Sequence, residues 1–354
     1  MRGDSTFTGS CSPAMRIFVI VFVLLGVLDI RTAHADVVAP VVDPGPALPA
    51  TPPVTEPVTE PVTEPAVPAY PFERGAISGI GTAGGPGVYT VQPGDNLTVI
   101  AARLGAWLPQ LQRDNPLDAR AFLRIGQALI YDNRHIVPPA PGADGDAILI
   151  NIPQRMLFHY RAGQLHAAYP AAAGRPDWQT PTGDTAIATR DKNKPWFVPL
   201  SIQAEMRALG QPVLTRVPPG PDNPLGKYWL GLAREALGIH GTNAPASVYG
   251  ARTHGCIRLQ PEHIEALFQT VAVGLPVRII YAPVLLFSPP GGPIWLEAHP
   301  DVYARGFDYH VLARQLADEA GVTERIDWIA AESVLAERQG IAKDVAAGTP
   351  HEYP

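Results

Sequence analysis

Between Pro40 and Pro71 the chain packs 11 of its 40 prolines, among them the repeated Val-Thr-Glu-Pro run from Pro53 to Pro65. Proline fixes φ and offers no N–H, so neither a helix nor an interior strand can form there. Glycines from Gly79 to Gly87 extend the bias. Residues 36–85 are therefore expected to be a Pro/Gly-rich disordered linker, drawn out as polyproline II at about 3.1 Å per residue where prolines dominate. No flanking basic residue marks the repeats as a recognition peptide, so the segment reads as a spacer. The rest of the 354 residues carries enough apolar side chains, 46% overall, for two or three packed domains at about 100–200 residues each.

Ahead of the spacer, Met15-Arg16, the apolar run Ile17 to Leu28 and Ala33-His34-Ala35 read as a charged start, a hydrophobic stretch and a small-x-small cleavage site. Residues 1–35 are thus expected to be a signal peptide, cleaved near Asp36. The run falls short of the ~20 apolar residues a membrane span needs, so the processed protein is not expected to be integral to a membrane. A net charge of −6 and a pI near 5.9 run opposite to a nucleic-acid binder. No nucleic-acid partner is expected.

Without the signal peptide one cysteine remains, Cys256. In an oxidising exported compartment it has no partner for a disulfide, which leaves an inert buried thiol or a nucleophile. Its neighbours decide between the two. A thiol is only a few per cent thiolate at neutral pH and needs a base, and histidine has the matching pKa. Two are on offer in Ile239-His240-Gly241-Thr242-Asn243 and Thr253-His254-Gly255-Cys256-Ile257-Arg258-Leu259. His254, two residues from Cys256, shares its face in an extended segment, whereas His240 comes from another segment and can approach the sulfur head-on. His240 is therefore assigned as the base and His254 a supporting role. Gly255 lets the backbone approach closely, and the N–H groups of Gly255 and Cys256 are expected to be free to hold an oxyanion. Arg258, again on the cysteine face, either pairs inside the fold or reads a carboxylate of the substrate. A zinc site built on His240, His254 and Cys256 lacks a fourth ligand, so neither metal nor cofactor is expected.

Two more regions are legible. Val88-Tyr89-Thr90-Val91 alternates as a strand, Leu97, Ile100, Ala101 and Leu104 fall at helical spacing after Asp95 or Asn96 as cap, Leu108 to Arg113 fits a second helix, and Ile125 to Ile130 closes as turn and strand. From Ala147 come successive strand-like runs, Ile148–Ile152, Met156–Tyr160, Leu165–Ala171, Thr185–Thr189 and Lys227–Leu232, then a helix opened by Pro261 and closed by Gly274, and a strand Val277–Tyr281. Beyond Gly292, helices are expected at Tyr309–Ala320, capped by Asp308, and Trp328–Gln339.

The first region, with Tyr89/Val91, Gly94/Asp95/Leu97, Ile100/Ala101, Asn115/Pro116 and Gly126/Gln127/Leu129, resembles the LysM family. The resemblance implies binding to N-acetylglucosamine-containing glycan strands, with Gly94, Asp95 and Asn115 as glycan contacts. The motif His240-Gly241-Thr242-Asn243 followed by Thr253-x-Gly255-Cys256-Ile257-Arg258-Leu259 resembles the L,D-transpeptidase (YkuD-type) catalytic domain, supported by Thr180-Pro181-Thr182-Gly183 and by Pro219 to Gly226. That resemblance implies a peptidoglycan L,D-transpeptidase of the periplasmic Gram-negative branch. In it Cys256 attacks the diaminopimelate–D-alanine amide of a tetrapeptide stem, D-alanine leaves, and an amine takes the acyl group. His240 moves the proton, Thr253, His254, Gly255 and Gly241 support the site or its oxyanion hole, and Arg258, Thr242 and Asn243 bind substrate. The acceptor is a diaminopimelate side-chain amine, a lysine of an outer-membrane lipoprotein, a free D-amino acid, or water in a hydrolase. A glycan-binding protein without activity is the remaining alternative.

The expected fold is multidomain α+β: a βααβ LysM module at 88–135, a mainly-β, sandwich-like catalytic domain at 147–282, and a helical C-terminal extension with two helices at 283–354.

Overall fold

The computed structural model describes residues 73, 75–117, 122–142, 145–234 and 236–349. The expected signal peptide and the proline-rich run lie outside them.

The N-terminal module forms as its pattern dictates. Strands Pro86–Thr90 and Ala128–Asp132 pair antiparallel with Val88 opposite Ile130, and two helices, Leu97–Leu104 and Leu108–Asp114, lie between them in sequence. Asn96 caps the first helix by accepting from the Val99 N–H at 3.0 Å, and Gly105 ends it at φ 69°. Val91, Leu97, Ile100, Ala101, Leu111 and Leu129 make its core.

In the catalytic region eight strands close into a ring. Its order is Gln164–Gly174, Ile257–Leu259, Gly238–His240, Tyr228–Leu232, Gly183–Lys192, Pro276–Ile280, Ala147–Asn151 and Met156–Arg161, which pairs back onto Gln164–Gly174. Closure leaves no edge between the first and last strands; Gln164–Gly174 and Gly183–Lys192 each pass from one sheet to the other, so the expected sandwich-like pair of sheets is joined into a barrel. Ile148, Ile150, Val277, Ile279, Ile239, Ile257 and Leu259 alternate into its interior, and Ile264, Leu267 and Phe268 of the helix Pro261–Thr270 pack with them. Because Ile239, Ile257 and Leu259 point inward, period-2 alternation turns His240, Cys256 and Arg258 outward.

The C-terminal extension carries the two expected helices, Tyr309–Glu319 and Trp328–Glu337, with Asp308 and Asp327 as caps. It is not helical alone. The helices cover a sheet ordered Ala76–Ser78, Val284–Phe287, Trp295–Ala298 and Lys343–Asp344. Its first strand comes from before the LysM module, and Ala76 stands opposite Val284 in a parallel pair. Two strands, Ala76–Ser78 and Gly81–Ala83, thus lie inside the span read as linker, because backbone pairing there needs no apolar alternation.

Module, barrel and extension meet at a buried carboxylate. Glu297 accepts from His135 Nδ1 at 2.8 Å, His299 Nε2 at 2.7 Å, Gln154 Nε2 at 3.1 Å and the Ile136 N–H at 2.5 Å. The second nitrogen of His135 lies 3.0 Å from the carbonyl of Gly105 in the module. Burial would raise the Glu297 pKa, but His135 and His299 outweigh it and hold the group at about 2.

Candidate active site

Strands Gly238–His240 and Ile257–Leu259 run parallel, with Ile239 opposite Ile257 and His240 opposite Arg258. Cys256 immediately precedes the second strand and stands beside Gly238. Partners opposite each other in a pair share a face, and so do residues two apart along a strand, so Cys256, His240 and Arg258 project from one side of the sheet. The cysteine is partly exposed, and its Sγ lies 3.4 Å from the carbonyl oxygen of Ala236.

The electrostatics favour the neutral form of both the His240 imidazole and the Cys256 thiol. Burial, then the Arg258 charge, lowers the His240 pKa to about 3. Its Nδ1 lies 2.6 Å from the carbonyl of Gly241, and the backbone at Leu225 is a second hydrogen-bond partner of the ring. The indole of Trp229 stacks on the ring at 5.7 Å. Gly238 is required for this arrangement, since a Cβ there would come within 2.5 Å of the Trp229 ring. Burial raises the Cys256 pKa, with opposing contributions from the Gly238 backbone and Arg258.

Arg258 donates from Nη1 to Ser247 Oγ at 2.8 Å, while its buried Nε has no partner. Among the described residues no carboxylate pairs with it, and burial lowers its pKa. The fold supplies a largely desolvated cation with donors to spare.

The oxyanion side differs from expectation. The Gly255 N–H is engaged by Thr253 Oγ1 at 3.1 Å, and the Gly241 N–H by the carbonyl of Tyr228 at 3.2 Å. Neither is a free donor; the Cys256 N–H is the one of the three that no acceptor among the described residues takes. Thr253 also donates to the Cys256 carbonyl at 2.6 Å, so it shapes the loop. Buried Thr242 accepts from the Ala244 N–H at 2.8 Å, and Asn243 donates to the Asp222 carbonyl at 3.0 Å. Both, expected as substrate contacts, also bond to the backbone of their own loops. Likewise Asp95 is bonded to Tyr89, Arg103 and the Gln92 N–H, and Asn115 to the backbone of Leu111 and Ile130. These side chains, expected as glycan contacts, are also bonds within the module; Gly94 is exposed at φ 85°.

His254 pairs with a segment the sequence reading passed over. Strands Trp196–Phe197 and Arg216–Val217 pair, and the helix Leu200–Ala208 between them carries Glu205, whose carboxylate lies 2.6 Å from His254 Nε2 and also takes Arg175. Trp178 meets the His254 ring edge-on at 4.8 Å. Glu205, Arg175, Trp178, Trp229 and Ser247 were not foreseen; Thr180 stood in a quoted motif without a role.

His135, Glu297 and His299 are the group with metal-ligand spacing among the described residues, their donor atoms within 4.8 Å of one another. Separations of 2.7 and 2.8 Å from one carboxylate oxygen are those of hydrogen bonds, and the same oxygen takes Gln154. No helix among the described residues is long and apolar enough to cross a membrane.

A closed barrel bearing on one face a cysteine, a neutral histidine and an arginine that no carboxylate among the described residues pairs with, joined to a small βααβ module, has the makings of a thiol acyltransferase with a binding domain. Comparison with known proteins narrows this. The YkuD family, L,D-transpeptidase catalytic domain, matches residues 145–279, and the LysM domain matches 89–131. The protein named probable L,D-transpeptidase YbiS of Escherichia coli K12 is 33% identical over 216 residues, 60% of this chain and 69% of that one. Probable L,D-transpeptidase ErfK/SrfK of Salmonella typhimurium is 30% identical over 268 residues, 72% of this chain and 84% of that one. The chain belongs to the L,D-transpeptidase family, and it is an enzyme of that class.

Proposed function

We propose that the protein is an exported peptidoglycan L,D-transpeptidase whose nucleophile is Cys256, acting in the periplasm on tetrapeptide stems while its LysM module holds glycan strands. Three groups on one strand face support this reading: a thiol, a neutral imidazole and a guanidinium without a carboxylate. His240 takes the thiol proton as Sγ bonds to the diaminopimelate carbonyl carbon. The C–N bond then breaks, His240 returns the proton to the departing D-alanine amine, and a thioester remains. An acceptor amine attacks the thioester, its proton passes through His240 to sulfur, and the thiol is restored. Arg258 binds a carboxylate on the donor stem, because a buried guanidinium with spare donors is stabilised by an anion. The acceptor is a second stem peptide or an outer-membrane lipoprotein lysine.

Incubation with purified disaccharide-tetrapeptide, followed by mass spectrometry, tests the reading. Cross-linked or amine-exchanged product with loss of D-alanine is expected; release of D-alanine with water alone as acceptor would make the enzyme an L,D-carboxypeptidase. Glycan binding without any acyl-enzyme would leave a wall-binding protein.

A further inference from the structure

The Gly255–Cys256 peptide is gripped from the side opposite its N–H. Thr180 Oγ1 donates to the Gly255 carbonyl at 2.7 Å, and Thr180 is 1% exposed. In a planar trans peptide the carbonyl and the next N–H point in opposite directions. Holding the Gly255 oxygen on Thr180 therefore aims the Cys256 N–H away from Thr180, and this is the donor that the loop leaves unspent. The grip matters because Gly255 sits at φ 103°, where a glycine peptide turns at little cost unless something holds it.

Thr180 is itself fixed from outside the catalytic domain. Its hydroxyl accepts from the Gly174 N–H at 2.9 Å, and its own N–H donates to the Tyr303 hydroxyl at 2.9 Å. That phenol donates to the Gly174 carbonyl at 3.0 Å. The Tyr303 N–H in turn donates to the Tyr281 hydroxyl at 2.9 Å, which donates to Asp301 at 2.5 Å. Tyr303 and Asp301 belong to the C-terminal extension.

We infer that Thr180 and, through it, Tyr303 are positioning residues that preset the Cys256 N–H as the oxyanion donor, so that the C-terminal extension is part of the catalytic apparatus. The inference rests on Cys256 being the acylated nucleophile. Thr180 touches no reacting atom; it acts by orienting one peptide plane.

Two reagents separate this role from a merely structural one. A carbapenem acylates Cys256 through a tetrahedral oxyanion, whereas iodoacetamide alkylates the same sulfur by displacement and needs no oxyanion donor. Removing an oxyanion donor costs about 10²–10³ in rate, and misaiming one costs part of that. Thr180→Val is expected to slow carbapenem acylation at saturation about tenfold or more, with half-saturation and iodoacetamide alkylation changed by less than about twofold. Thr180→Ser, which keeps the hydroxyl, is expected to restore the rate. Tyr303→Phe keeps the ring and loses both bonds, so a smaller loss of the same kind is expected, about three- to tenfold; it also carries the test if Thr180→Val does not fold. Unchanged acylation in folded Thr180→Val and Tyr303→Phe, or acylation and alkylation falling in parallel, would overturn the inference. Wild-type protein that is alkylated at Cys256 but never acylated would instead remove the transpeptidase reading on which it stands.

Discussion

His240 stands opposite Arg258 across a parallel strand pair, and the guanidinium adds to burial in holding the imidazole neutral down to about pH 3. A base with a depressed pKa stays unprotonated, and so competent, well below the ordinary histidine range. Acylation of Cys256 by a β-lactam should show no acid limb with a midpoint near 6.5; the rate should persist to about pH 4 if the fold does. A fall centred near 6.5 would mean that His240 is solvated and ordinary.

The same shift has a cost in stability. A histidine whose folded pKa lies below its unfolded value takes up a proton on unfolding, so stability is lost as pH falls through the window between the two. Burial places His159 at about 4, and its Nδ1 is buried without a partner. The melting temperature should decline from about pH 6.5 toward 4, and His159→Phe should flatten that decline by up to about 3 kcal/mol, at roughly 1.4 kcal/mol per pKa unit. An identical pH profile in the variant would exclude His159 as a source.

At Arg258 the expected loss is selective. Arg258→Lys keeps a charge but loses the rigid fork, and should lower kcat/KM on the tetrapeptide about tenfold or more while sparing a donor whose diaminopimelate carboxylate is amidated. Equal losses on both donors would show that the side chain serves the fold through Ser247.

Glu297→Gln tests the three-way junction. Amide for carboxylate keeps the shape but puts an NH2 donor among the donors of His135, His299, Gln154 and Ile136, and a buried polar group left unsatisfied costs about 1–3 kcal/mol. A large drop in melting temperature is expected, without loss of activity in the protein that remains folded. A neutral substitution would show that the junction does not depend on the carboxylate.

Deleting 88–131 should not leave an indifferent remainder. The LysM module contributes the Gly105 carbonyl to His135 and the Arg103 guanidinium to Glu262 at 2.7 Å. Lower thermal stability is expected together with weaker binding to sacculi; equal melting temperatures would show a loosely tethered module.

Local signals in the sequence were reliable where one side chain acts on its own segment. Asn96 and Asp308 cap the helices their positions imply, and the alternation of Ile257, Arg258 and Leu259 sorts core from site. Ring closure was not legible, since strands of three residues such as Gly238–His240 owe their pairing to neighbours distant in sequence. The helix Leu200–Ala208 escaped because its pattern is inverted: Leu200 is 78% exposed while Gln203 is buried and bonded to the Val198 carbonyl. The oxyanion donors were misread for a related reason. Whether a glycine N–H is free depends on a threonine hydroxyl two residues away, and spacing alone does not say where that hydroxyl points.

The pairing of Ala76–Ser78 with Val284–Leu286 also sets how the protein carries load. A pull through residue 75 along the axis of this strand shears its ladder bonds together instead of peeling them one by one. Force is thereby passed to the C-terminal sheet and the barrel, bypassing the LysM fold that comes next in sequence. The module can stay folded on a wall that stretches. Single-molecule extension from the N-terminal side should rupture the Ala76–Ser78 pairing before the module unfolds.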